Sequence, residues 1–373
     1  MKLFLRSATA LSAILISCGT AAAEQELNFK LGAHAFFDYE NVSVNDDTVV
    51  EGTNLKLFRI DAGGSYGDYT FKSNVDFGND DVKVKDLFIE IKGETSIRFG
   101  NFKVMNGLEQ SSSLYSTTFA EANSVSKANK LSRQLGVGVF RNFDNVFLSA
   151  GVFGADVNDT SDKDEWSVSG RIAGEFQPAE NAGKLHLGSS VRYRNNSDES
   201  RDSYAQKPFA SSAPTTVKAS GFAETDTFLG LEAAYLNGGL SLQSEYGLTS
   251  ADCEAEGCSG DVNLNTWYAD VSYIWGGERV LKNGLFKRTK IYNPAGEGGS
   301  GAFALSARFD VADLNDQMIM GGKQESVVLG GTWYRDKYVR VLFNYTHADF
   351  EDSPSFGDGS ADTFVVRLQA ELY

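Results

Sequence analysis

Segment after segment of alternating polar and apolar residues, with only 5 prolines beside 38 glycines, 26 phenylalanines and 15 tyrosines, predicts an all-β fold. The specific expectation is a transmembrane antiparallel β-barrel of 16 strands in a single domain. Glu165 to Phe176 shows why. Trp166, Val168, Gly170, Ile172, Gly174 and Phe176 take one face, and Glu165, Ser167, Ser169, Arg171, Ala173 and Glu175 the other. A soluble sheet needs a second protein layer over its apolar face. A barrel needs only hydrocarbon outside and water inside. A lysine or arginine facing hydrocarbon at mid-depth costs about 2–4 kcal/mol, so the charged face must line a polar lumen.

The chain opens with Lys2 and Arg6, an apolar run near Leu11 to Ile16, and small residues Ala21 to Ala23. This reads as a secretory leader over 1–23, too short to span a membrane as a helix. A lipoprotein leader with Cys18 as the lipid-bearing residue is the alternative. Loss of Lys2 and Arg6 takes the net charge from −16 to −18. No later segment is apolar enough to cross a membrane as a helix, so residues 24–373 form either an exported soluble domain or a spanning barrel.

Strands are expected to begin near Leu27, Leu55, Tyr69, Val82, Ser96, Gln134, Val146, Glu165, Lys184, Asp226, Gly239, Asn265, Gly301, Glu325, Tyr338 and Asp362. Pro178, Pro208, Pro214, Pro294 and Pro354 all fall between them, where no ladder bond is needed from a proline. Short connections at Ser65, Gly93, Asn142, Asn237 and Arg335 alternate with long ones around 40–54, 102–132, 154–164, 196–224, 249–263 and 348–361. Turns at one end and loops at the other is the asymmetry of an outer-membrane barrel. Two connections depart from it: 78–81 is short where a loop is due, and 276–300 is long where a turn is due. Trp166, Trp267, Trp275 and Trp333 lie near strand ends, where amphipathic rings suit the membrane interface. Cys253 and Cys258, five apart in an acidic stretch, are expected to close a disulfide in an oxidising compartment.

The run from Gly67 to Phe140 carries a family pattern: Asp76-Phe77, Lys85-Asp86, Gly100 to Lys103, Gly107 to Glu109, a Ser-rich loop, Phe119 with Glu121, and Arg133 to Val137. It resembles the phosphate-selective porin O and P family, and the stretch from Gly330 to Asp349 resembles that family's closing hairpin. The resemblance covers most of the chain beyond the leader. It implies a homotrimer of 16-stranded outer-membrane barrels, one pore per subunit, with a loop folded inward as the constriction. Val104-Met105 stands where the family commonly has a proline, Gln134 replaces a second arginine, and the terminal Tyr373 falls on the lumen phase.

A pore of this kind makes and breaks no bonds; rings of charge set its ion preference. Strand parity sends Arg59, Lys72, Arg98, Arg171, Arg192, Arg194, Arg308, Arg340 and Arg367 to the lumen, and the connection 102–132 adds Lys103, Lys127 and Lys130, with Arg133 after it. These are the candidate anion-binding residues. The same parity sends nine acids inward: Asp61, Asp76, Asp86, Glu90, Glu175, Glu232, Glu245, Asp270 and Asp310. The balance therefore rests on the inward loop and on whether bases gather on one wall. The expected partners are small hydrophilic solutes or inorganic anions, phosphate above all, and outer-membrane lipid. A general or cation-leaning pore on the same barrel, and an envelope-structural or adhesin barrel, are the alternatives. His34, His186 and His347 have no neighbouring nucleophile motif, and no metal-ligand spacing or phosphate-cradling glycine loop occurs, so no catalytic residue, metal or cofactor is expected. The stretch Asp156 to Ser167 lacks the glycine and final glutamate of a calcium loop. The negative charge argues against nucleic acid.

Overall fold

A computed structural model describes residues 26–372 apart from 80, 160–163, 180–181, 197–202, 254–257 and 259. The expected leader and Tyr373 lie outside the described residues. In chain order the strands are β1 (Asn28–Val44), β2 (Asp47–Tyr66), β3 (Tyr69–Asp76), β4 (Lys83–Ile91), β5 (Thr95–Lys103), β6 (Arg133–Phe143), β7 (Val146–Gly154), β8 (Trp166–Phe176), β9 (Lys184–Asn195), β10 (Ser203–Gln206), β11 (Val217–Ser220), β12 (Thr225–Asn237), β13 (Leu240–Ala251), β14 (Val262–Trp275), β15 (Gly277–Lys282), β16 (Leu285–Ile291), β17 (Ala302–Asp316), β18 (Ile319–Tyr334), β19 (Val339–Ser353) and β20 (Gly357–Leu372). Sixteen of them close into one antiparallel barrel, each paired with the next and β1 with β20. The hairpins β10–β11 and β15–β16 stand apart from the wall.

The exposure pattern inverts that of a soluble protein. On β8 the apolar Val168, Ile172 and Phe176 are exposed, Ile172 by 53%, while Ser169, Arg171 and Glu175 are buried. Hydrocarbon covers the exposed set. On β14 the outward face runs from Trp267 to Trp275, and Trp166 pairs with Tyr193 and Tyr273 with Trp275 as interfacial rings. Ile172→Arg should therefore cost about 2–4 kcal/mol of folded stability. The neighbouring Arg171, facing inward, incurs no such penalty. Urea titration of folding into phosphatidylcholine vesicles checks the difference, and an unshifted midpoint would contradict the lipid assignment.

Twelve strands begin within one residue of their expected start. The four that do not are β2, β14, β18 and β20, which begin earlier than expected, all at the loop end. The expected loops at 40–54 and 348–361 are largely strand instead. Asn45 (φ 51°) and Asp46 (φ 69°) join β1 to β2 in a two-residue turn with both residues left-handed, the geometry that matches strand twist. Above the membrane a ladder continues without lipid to cover it. Its outward residues turn polar, and the alternation that marks a strand disappears. The connection 276–300, expected as an anomaly, is the hairpin β15–β16 folded into the turn end of the barrel.

The lumen holds its own apolar core. Tyr204, Val217, Ala219 and Phe222 of the β9–β12 connection pack on Val42, Leu264, Leu314 and Phe350 of the wall. Ser211 and Ser212 donate backbone N–H bonds of 2.9 Å to the two oxygens of Glu40, fixing the loop to β1. Cys253 and Cys258 are bonded, with Cα atoms 6.0 Å apart.

Candidate pore constriction

Residues 104–132, between β5 and β6, fold into the barrel and carry two short helices, α1 (Leu108–Ser111) and α2 (Ser124–Ala128). Neither helix could persist alone at this length. The wall holds them. Gly107, at φ 74°, lets the start of α1 sit on the Glu245 carboxylate, which accepts from Leu108 N at 2.7 Å and Glu109 N at 2.8 Å. A Cβ there would stand 2.7 Å from that carboxylate, so only glycine fits without displacement. Asn123 caps α2, its Oδ1 accepting from Ser126 N at 2.8 Å. Asp310 accepts from Ser124 N at 3.1 Å, and Asn344 Oδ1 from Ala120 N at 2.7 Å.

Several of the arginines expected to line the pore join this clamp or are matched with acids. Arg308 lies between Asp270, at 2.7 and 2.8 Å, and Glu109 of the loop, at 2.6 Å, with no exposed side-chain surface. Arg367 contacts Asp38 at 2.6 Å and Glu121 of the loop at 3.0 Å. Arg340 donates to Thr117 O at 2.9 Å and to Gln369. Arg192 donates to Asn129 O at 3.1 Å and shares Asp226 with Arg194. Arg171 pairs with Glu232 and donates to Gly284 O at 2.8 Å. Lys103 is turned to the loop carbonyls of Gln110 and Ser112, at 2.7 and 2.6 Å. Lys127 is half exposed, 3.4 Å from Glu121, and Lys130 ends α2 with φ 49°. Burial alone would raise the Glu121 carboxyl. Lys56, Lys127 and Arg367 more than offset it and hold the group below the ordinary carboxylate range. Its contribution to seating the loop is therefore complete above that range and is lost only as pH falls through the lowered value.

The loops fill the lumen unevenly. The inward charged residues of β8 to β20 are almost all buried, whereas Lys72 keeps 44% and Arg98 25% of its side-chain surface. The open space thus runs along β2–β6. Arg59, Lys72, Lys85, Lys103 and Arg133 belong to that wall, against Asp61, Asp76 and Asp86, an excess of two positive charges. Asp86 takes Lys72 at 2.8 Å and Arg133 at 2.6 Å; Asp76 takes Arg59 at 2.9 Å. The Nε of Arg59 and the buried hydroxyl of Tyr115, on the loop facing this wall, have no hydrogen-bond partner. Below them Arg98 is stacked between Phe88, at 4.3 Å, and Phe140, at 4.4 Å, and bonds Glu90 at 2.8 Å. Across the lumen Glu232, Glu245, Asp270 and Asp310 gather on β12–β17, so bases and acids face each other across the barrel.

Two of the bases escape a parity argument. Lys85 lies in a register shift between β3 and β4, where Ser73 pairs with Leu87 but Val75 with Val84. Lys56 lies in another, where Phe36 pairs with Leu57 but Phe37 with Leu55, and it reaches Glu121 at 3.0 Å. Each bulge turns onto the lumen a side chain that strict alternation sends outward.

The profile described as "Phosphate-selective porin O and P" matches residues 27–373. Porin O of Pseudomonas aeruginosa is 25% identical over 398 residues, spanning 94% of this chain and 89% of its own. An uncharacterized protein of Caulobacter vibrioides is 24% identical over 338 residues, spanning 86% and 68%. Among solved structures, an anion-selective porin from Comamonas acidovorans superimposes with a TM-score of 0.59 at 13% identity, over 93% of this chain and 100% of that one. A trimer form of OmpT from Vibrio cholerae gives 0.57 at 13% identity, over 92% and 99%.

Proposed function

This chain belongs to the phosphate-selective porin O and P family of outer-membrane porins, and from that premise we propose that it passes small anions, phosphate among them, into the periplasm through a water-filled path along β2–β6. The excess of bases on that wall, facing the one side of the lumen left open, carries the reading. An anion entering there exchanges hydration water for Lys72 and Arg133. Arginine is suited to phosphate because its planar fork matches two oxygens. Asp76 and Asp86 keep each base partly occupied, so binding is weak enough for release.

The barrel carries out no bond chemistry in this reading. Three copies associate through the outward face of β3–β5, where the strands are only 8 or 9 residues long and Phe71, Leu87, Ile89 and Phe99 face out. A second reading, a weakly selective general porin, draws on the pairing of Arg171, Arg192, Arg194, Arg308 and Arg367 with acids.

Planar-bilayer recording decides between them. In a KCl gradient the reversal potential should take the sign of chloride permeation, and phosphate should reduce the chloride current in a saturable way. Conductance that closes in thirds checks the trimer in the same trace. A reversal potential near zero without phosphate block would leave the general porin.

A further inference from the structure

Two phenylalanine rings on the open wall are left partly wet. Phe36, Phe102, Phe147, Phe153, Phe228 and Phe350, which the barrel strands also turn inward, are buried. Phe88 and Phe140 are only half-buried, with the rest of each ring open to the lumen. Apolar surface left in water on an inner wall marks a place where something apolar can be bound.

The register puts a charge between the two rings. Glu90 pairs with Arg98 and Phe88 with Gly100, so Phe88 stands one step toward the loop end of Arg98. Gly138 pairs with Arg98 and Phe140 with Ser96, so Phe140 stands one step toward the turn end. The guanidinium lies 4.3 Å from the first ring and 4.4 Å from the second. Phe102 backs both rings, with centroid separations of 6.1 and 6.3 Å, and packs in turn on Met105 and Phe153. That packing holds the rings in place, so a ligand need not order them.

Arg98 also keeps hydrogen-bonding capacity. Its Nε and Nη2 both donate to one oxygen of Glu90, and Nη1 makes no hydrogen bond among the described residues. The arginine side chain keeps 25% of its surface and the glutamate 15%, so the positive partner is the more open of the two.

We propose that Arg98, Phe88 and Phe140 form a binding site for small aromatic carboxylates. The site rests on the anion path along β2–β6 and gives that path a further class of ligand. The carboxylate accepts from Nη1, and the aryl group covers the open surface of the two rings. Chloride or phosphate can use only the first of these contacts, and a neutral arene only the second. An aromatic cation meets a guanidinium already seated between the rings. An apolar surface with one well-placed polar group is the usual make-up of a small-molecule site.

The probe is potassium benzoate, with acetate as the ringless control, added to single channels in concentrated KCl. The half-blocking concentration of benzoate should be about ten-fold below that of acetate. Phe88→Leu/Phe140→Leu keeps apolar side chains and removes the rings. It should bring the two values within about two-fold of each other while leaving the chloride-to-potassium permeability ratio and the phosphate block as in the wild type. The single variants Phe88→Leu and Phe140→Leu should each lose about three-fold, which keeps the test open if the double variant fails to insert. Equal block by benzoate and acetate, a benzoate preference that survives loss of the rings, or stronger block by benzylammonium than by benzoate overturns the site. Each of these results leaves the anion path intact, provided chloride preference and phosphate block are present. Their absence in the wild type overturns the path itself.

Discussion

Arg308→Met should destabilise the folded barrel by about 3–5 kcal/mol and release the constriction loop, because it strands two buried carboxylates. Arg308 alone stands between Asp270 on the wall and Glu109 on α1, and Phe119 and Tyr268 lie over its guanidinium at 4.7 and 4.5 Å. Methionine fills much of the volume, removes the ion pair of Asp270 and leaves Glu109 with the Asn123 N–H, at 3.1 Å. The loss should show as an earlier urea midpoint for refolding into vesicles. A larger and noisier single-channel conductance should accompany it as α1 leaves its seat. The triple variant Arg308→Met/Asp270→Asn/Glu109→Gln separates charge from shape. With no charge left to desolvate it should recover most of the stability, since a buried ion pair replaced entire is often close to neutral. If the single variant unfolds at the wild-type urea concentration, the clamp is not what holds the loop.

Neutralising the open wall should have the largest effect on selectivity. Lys72→Gln/Lys85→Gln/Arg133→Gln removes three positive charges and leaves Asp76 and Asp86 beside Arg59 and Lys103. At an effective dielectric of about 20, a unit charge 4 Å from an ion contributes about 4 kcal/mol before screening, so even a small surviving fraction changes permeability several-fold. The expected outcome is a fall of about ten-fold in the chloride-to-potassium permeability ratio, equivalent to about 1.4 kcal/mol. It is measured as a reversal potential in a salt gradient. Lys127→Gln should change it less, because that lysine already faces Glu121. Arg340→Gln should act mainly on loop position, through the lost contact to Thr117 O. An unchanged ratio in the triple variant would place the ion path elsewhere in the lumen.

Much of this architecture was legible from alternation alone, because a barrel wall obeys one rule: every second residue meets lipid. That rule places Arg59, Arg171, Arg192, Arg194, Arg308 and Arg367 on the lumen side, where they are buried. It fails where its physical cause is absent. Above the bilayer nothing apolar is required outside, so the upper parts of β2, β18 and β20 read as loop. At a bulge the phase slips by one, which hid Lys56 and Lys85. Nor does alternation carry information about partners. Whether Arg308 lines a pore or pins a loop depends on Glu109, 199 residues away in sequence, and no local pattern encodes that separation.

The pairing of β1 with β20, from Ala33 with Leu372 to Val44 with Ala361, has a consequence for biogenesis. The ribosome makes the two edges of this seam at opposite ends of its run. Until the last strand is delivered, every intermediate keeps both rims of the curled sheet unbonded, an invitation to pair with the wrong neighbour. Closure is thus a single late event that secures all the earlier pairings together, and a chain stalled one hairpin short would remain an adhesive half-pipe.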